Sequence, residues 1–159
     1  MSGLSADLRA TAGEIWDAQH RHPFVRGIGD GTLDLEREGM VPTTRGYTDF
    51  MLRTATVGDF AELVAALLPC VWGFNEIGYR LAERGLSNSD YYARWIRMYA
   101  SDEFTGLVDW LRELTDRIST NLPEASRDRM RDVFLTSSRY ELSFWEMART
   151  LEAWPQFSP

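Results

Sequence analysis

From residue 59 to residue 84, apolar side chains recur at steps of three and four: Phe60, Leu63, Val64, Leu67, Leu68, Val71, Phe74, Ile77 and Leu81. That period belongs to an α-helix, and a stripe this long obliges the rest of the chain to cover it. Gly85 closes the segment. Pro69 falls inside the stripe, where it removes a backbone donor and crowds the carbonyl of Ala65. A proline there costs a helix about 3 kcal/mol, so a kink is expected immediately before Cys70. Cys70 is the chain's single cysteine, and it lies in the longest apolar stretch, Leu67-Leu68-Pro69-Cys70-Val71-Trp72-Gly73-Phe74.

The other segments read as helices that pack around this one. A helix is expected over residues 6–20, with Ser5 as its cap and Leu8, Ala12, Ile15 and Trp16 on one face. The glycine cluster at 27–31 ends it; no strand precedes that cluster, so it is a turn rather than a phosphate loop. Further helices are expected over 44–55, 88–100, from Ser101 to 120, and over 124–152, with Asn121-Leu122-Pro123 separating the last two. Period-two alternation is absent, so the fold class is all-α. Without repeats, low-complexity tracts or linkers, residues 1–159 read as a single domain, long enough to bury roughly 70% of the surface the unfolded chain exposes.

Charge excludes several functions. The formal net charge is −7, and no basic stripe is present, which argues against a nucleic-acid partner. All 17 basic residues are arginine. Schiff-base and P-loop lysine chemistry therefore have no residue to act through. One cysteine cannot form an internal disulfide, and the N-terminus is polar and amphipathic rather than basic then apolar, so a cytoplasmic location is expected. The nearly uncharged run from Leu63 to Phe74 is shorter than the ~20 residues of a spanning helix and contains Pro69, so no membrane association is expected.

Cys70, Phe74 and Ile77 share one helical face, while Gly73 and Gly78 let another element approach, which predicts a shallow pocket beside the thiol. By itself a cysteine on a core helix is more often a packing residue than a nucleophile. To react it needs a neighbouring base, cation or hydrogen-bond donor. His20 and His22 qualify only if the end of the first helix packs beside Cys70. A second segment, Ser137-Ser138-Arg139-Tyr140-Glu141-Leu142-Ser143-Phe144-Trp145-Glu146-Met147-Ala148, puts Glu141, Trp145 and Ala148 on one face. Glu141 taken alone is an ordinary solvated carboxylate.

These two segments, together with Pro42-Thr43-Thr44-Arg45-Gly46-Tyr47-Thr48-Asp49-Phe50 and Trp95-Ile96-Arg97-Met98-Tyr99-Ala100-Ser101-Asp102-Glu103-Phe104, closely resemble the TenA/thiaminase II family in order and spacing. His22-Pro23-Phe24-Val25 and Asp30-Gly31-Thr32-Leu33 resemble its first helix and the loop that follows. The resemblance implies a haem-oxygenase-like helical bundle and an aminopyrimidine aminohydrolase, with thiamine cleavage as a related activity in thiamine salvage. It makes Cys70 the nucleophile and Glu141 the general acid/base, and it puts Tyr47 and Tyr99 in the pyrimidine site. Phe74 stands where many relatives have tyrosine. No metal or organic cofactor is implied, the substrate is a small aminopyrimidine or thiamine, and a homo-oligomer is expected, a tetramer first and a dimer next. One departure is plain. Glu36 runs almost directly into Arg37-Glu38-Gly39-Met40-Val41-Pro42, where the family carries a further pair of helices and a Gln-Asp-Tyr-type motif whose aspartate holds the aminopyrimidine. The bundle is therefore expected to be shortened by roughly two helices.

The alternative reading is a non-catalytic helical binding or assembly module on the same scaffold. A haem protein would need His20 or His22 as axial ligand, and a di-metal carboxylate site would need Glu-x-x-His pairs that the chain lacks. Trp16, Trp72, Trp95, Trp110, Phe134 and Trp154 read as core or subunit contacts.

Overall fold

In the computed structural model, residues 39–155 are described. They form five helices: α1 Pro42–Val57, α2 Phe60–Glu83, α3 Asp90–Tyr99, α4 Asp102–Thr120 and α5 Glu124–Thr150. Among the described residues there is no strand, as the periodicity required. The chain divides into two compact units, Met1–Gly39 and Met40–Pro159, and all five helices belong to the second. The helix expected over 6–20, the glycine turn at 27–31, and His20 and His22 lie outside the described residues.

Helix boundaries follow local chemistry. Asp59 caps α2 by accepting from the Glu62 N–H, and Ser101 caps α4 by accepting from the Phe104 N–H, so each side chain satisfies a donor the helix leaves open. Pro42 occupies the first turn of α1, where its missing N–H is not needed. Beyond α2, Gly85 adopts φ 99°, a left-handed conformation that glycine reaches without a Cβ clash.

α2 packs against each of the other four helices. Ala61, Val64, Ala65 and Leu68 on α2 meet Leu111 of α4 and Met130 of α5, with Ile118, Val133 and Phe134 packed around them. α2 runs for 24 residues without a break at Pro69, which is itself buried. Its uninterrupted length exceeds the short run counted from the sequence, and by length and composition alone it is apolar enough to cross a membrane. Its contacts account for that composition differently. It is the helix around which the others pack, and Glu76 and Arg80 punctuate its outer surface.

The two glycines on α2 behave differently. A Cβ at Gly78 would meet the Tyr99 backbone carbon and Cβ at 2.8 Å, so this glycine is what lets the end of α3 approach. Gly73 has nothing within 4 Å of a built Cβ. The close approach expected there does not occur; Gly73 instead borders an open cavity. Trp110 and Trp154 are 52% and 54% exposed and are not core residues.

Candidate functional site

Three helices bring the polar residues together. Tyr47 lies on α1, Cys70 on α2, and Ser137 and Glu141 one turn apart on α5. The Tyr47 ring stacks on Tyr140 with centroids 5.2 Å apart and planes 6° from parallel. The stacked pair fixes where the Tyr47 hydroxyl points. That hydroxyl is 3.0 Å from Ser137 Oγ, and Ser137 Oγ donates to the Ala66 carbonyl at 2.6 Å. Ala66 precedes Cys70 by one turn of α2, so the contact ties α1 and α5 to α2 beside the thiol.

Glu141, one turn along α5 from Ser137, is the charged group that acts on both the Cys70 thiol and the Tyr47 hydroxyl. Burial pushes the Cys70 thiol up from its ordinary value to about 12, and the Glu141 charge and the hydrogen bond to Glu141 add to the rise. Low-dielectric surroundings disfavour the thiolate, and an adjacent carboxylate disfavours it further. At neutral pH Cys70 is therefore a thiol whose proton is directed at a base. Tyr47 is raised as well, by burial first and then by Glu141 and Cys70, while its bond to Ser137 pulls the other way.

Phe74 and Tyr99 form the second half of the site. The Phe74 ring centroid is 5.0 Å from Tyr99, 5.4 Å from Trp145 and 5.8 Å from Trp95. Such tilted contacts suit aromatic quadrupoles. Tyr99 is held by its backbone, because the buried Asn75 side chain donates to the Tyr99 carbonyl at 2.8 Å and to Thr105 Oγ1 at 3.1 Å. The Tyr99 hydroxyl titrates above its ordinary value, through burial first and then the charges of Cys70 and Tyr91.

All five residues singled out from the sequence thus lie in one neighbourhood, in two groups. Glu141 is the carboxylate that acts on Cys70, and Cys70 lines neither flanking cavity. One cavity, of about 420 Å³, is bordered by Glu141, Pro69, Trp72 and Gly73. The other, of about 640 Å³, is bordered by Phe74, Phe144, Trp145, Tyr91 and Tyr92. Trp95, read as a core or subunit contact, belongs to the aromatic group beside Phe74. Ser137, Tyr140 and Asn75 were not singled out. For Ser137 the signal was present, since it stands four residues before Glu141 and so shares its helical face. Among the described residues, no three His, Cys, Asp or Glu side chains gather as metal ligands would.

A model of the TENA/THI-4/PQQC family matches residues 34–151. The chain belongs to the TENA/THI-4/PQQC family. It is 31% identical over 218 aligned positions to an aminopyrimidine aminohydrolase of Halalkalibacterium halodurans, an alignment covering 95% of this chain and 97% of that one. To an aminopyrimidine aminohydrolase of Bacillus subtilis it is 28% identical over 217 positions, covering 95% of this chain and 92% of that one. Among solved structures it is similar to a TenA homologue protein from P. horikoshii OT3, with a TM-score of 0.74 and 30% identity, over 93% of this chain and 69% of that chain. The haem-oxygenase-like all-α bundle expected from the resemblance is therefore the fold. The 218-position alignment takes in 95% of only 159 residues, so much of it sets residues of the TENA/THI-4/PQQC relative against gaps in this chain.

Proposed function

We propose that this protein is an aminopyrimidine aminohydrolase of the thiaminase II type, acting in pyrimidine salvage from thiamine breakdown products. The observation that carries the reading is that α2 and α5 bring the half-buried Cys70 thiol close enough to feel the Glu141 carboxylate, and the similarity to aminopyrimidine aminohydrolases supports it.

Attack by Cys70 Sγ on an electron-poor carbon of the pyrimidine ring forms the C–S bond while the thiol proton passes to Glu141. Glu141 then returns that proton to the exocyclic amine, the C–N bond breaks, and ammonia leaves. Water adds to the exocyclic methylene carbon and gives its proton to Glu141. The C–S bond breaks last, and the same proton restores the thiol. Because burial holds Cys70 as a thiol, Glu141 has to serve as base before it serves as acid. The ring stacks on Phe74, and Tyr47 and Tyr99 line the site around the reacting centre. Loss of the aspartate that relatives use for the aminopyrimidine removes a charge-assisted contact worth on the order of 1.5–3 kcal/mol, so KM is expected to be high.

Ammonia release from an aminomethyl-aminopyrimidine, with the hydroxymethyl product identified by mass, tests the proposal. Wild type should turn over and Cys70→Ser should not, because the alcohol ionises far less readily than the thiol. Absence of turnover by wild type would favour the non-catalytic binding module. Unchanged turnover by Cys70→Ser would remove the nucleophile assignment.

Self-association belongs to the same reading. Leu142 is 73% exposed on α5, and Leu107 and Trp110 stand out on α4; covering apolar surface yields roughly 25 cal/mol per Å². A homotetramer, or failing that a dimer, is expected by size-exclusion chromatography with light scattering. A well-folded monomer at low micromolar concentration would contradict it.

A further inference from the structure

Ser137 is the one polar side chain of the site with no exposure at all. It carries a single hydroxyl proton, and that proton is committed to the Ala66 carbonyl, which can only accept. At the 3.0 Å contact between Ser137 Oγ and the Tyr47 hydroxyl, the serine oxygen is therefore the acceptor and Tyr47 the donor. Tyr47 also has only one proton, and Glu141, one turn along α5 from Ser137, is the carboxylate that acts on the phenol. Ser137 and Glu141 thus compete for the same proton.

We propose that Ser137 is a positioning residue that draws the Tyr47 proton away from Glu141, leaving the carboxylate free to receive the proton of Cys70. This rests on the catalytic reading above, but the hydrogen-bond geometry stands without it. The α1–α5 stacking of Tyr47 on Tyr140 prevents the phenol from swinging away, so the choice between two acceptors is settled by which oxygen is offered. The Ala66 carbonyl anchors the serine, orienting its lone pairs toward Tyr47. With the serine oxygen removed, the Tyr47 proton turns to Glu141, the carboxylate one turn along α5. The carboxylate then carries a donated hydrogen bond, becomes a weaker base toward the thiol, and repels a thiolate less.

Two readouts follow, with opposite signs. In Ser137→Ala, kcat for ammonia release should fall about tenfold with little change in KM, the size of one redirected hydrogen bond. Alkylation of Cys70 by iodoacetamide at fixed pH should become severalfold faster, because Glu141 is partly neutralised. Tyr47→Phe is the second variant. It removes the contested proton, so Glu141 is left as it is in wild type and alkylation should stay within about twofold of the wild-type rate, far less than a redirected bond would give. In that background Ser137→Ala should change neither readout further, a coupling that a double-mutant cycle measures. Faster alkylation that persists undiminished in the Tyr47→Phe background would mean that the serine merely packs the helices, and would overturn the proposal. So would a Ser137→Ala protein with wild-type alkylation, or a Tyr47→Phe protein alkylated severalfold more slowly than wild type. If wild type releases no ammonia, the catalytic reading fails, and the alkylation cycle alone still decides the role of Ser137.

Discussion

The two halves of the site are held by different forces. On one side, directional hydrogen bonds join Tyr47, Ser137 and the Ala66 carbonyl across α1, α2 and α5, and the charge of Glu141 acts on Tyr47 and Cys70 beside them. On the other, Phe74, Trp95, Tyr99 and Trp145 meet through ring contacts beside a cavity of about 640 Å³. A hydrogen bond fixes angle and distance, whereas ring contacts tolerate tilt and slide. The polar half is built to place protons, and the aromatic half to present a surface. Changes in the first should therefore act on kcat, and changes in the second on KM and stability.

The sharpest way to break that division is Glu141→Gln. The amide keeps the shape but can neither take the thiol proton nor return it to the amine. Turnover should fall by about 10²–10⁴, the usual worth of a positioned acid/base, while thermal stability stays close to wild type. A variant with nearly full kcat would dissolve the distinction, since the polar half would then be structural. A smaller effect is expected from Gly78→Ala. Its methyl group would press on the Tyr99 backbone at 2.8 Å, forcing α3 away from α2 at about 1–3 kcal/mol. Denaturant melts should show the loss of stability. Because the displaced helix carries Tyr99 and Trp95, KM should rise with kcat largely kept. A fall in kcat with unchanged KM would instead couple the two halves.

The fold was legible because its strongest sequence signal sits on its central helix. The stripe from Phe60 to Leu81 became α2, and Ser101 capped α4 where the sequence placed a cap. Pro69 did not end the helix, since a proline removes one bond from a helix that four other helices pack against. Gly73 and Gly78 were indistinguishable by sequence; only the packing of α3 made one of them a contact and left the other open. Cys70 and Glu141 were paired through resemblance to a family, not through spacing, because nothing local relates residues on α2 and α5. Ser137 shows the opposite limit. Its helical register with Glu141 was readable, but its role depends on the Ala66 carbonyl and the Tyr47 hydroxyl, which belong to two other helices. Register along one helix is visible in a sequence, whereas the partner across the bundle is not.

The central claim is that the half-buried Cys70 thiol stands under the influence of the Glu141 carboxylate and keeps its proton. The pH dependence of Cys70 alkylation, followed by intact mass in wild type and in Glu141→Gln, tests it directly. Burial and the carboxylate both raise the folded titration, from an ordinary 9.0 to about 12. The thiol should therefore stay protonated through the range in which a free cysteine ionises, and the alkylation rate should go on climbing well above pH 9. In Glu141→Gln the carboxylate contribution disappears while burial remains, so the curve should move to lower pH without reaching the free-thiol value. Two superimposable curves that both level off near pH 9 would show an exposed thiol with no carboxylate beside it, and would contradict the account.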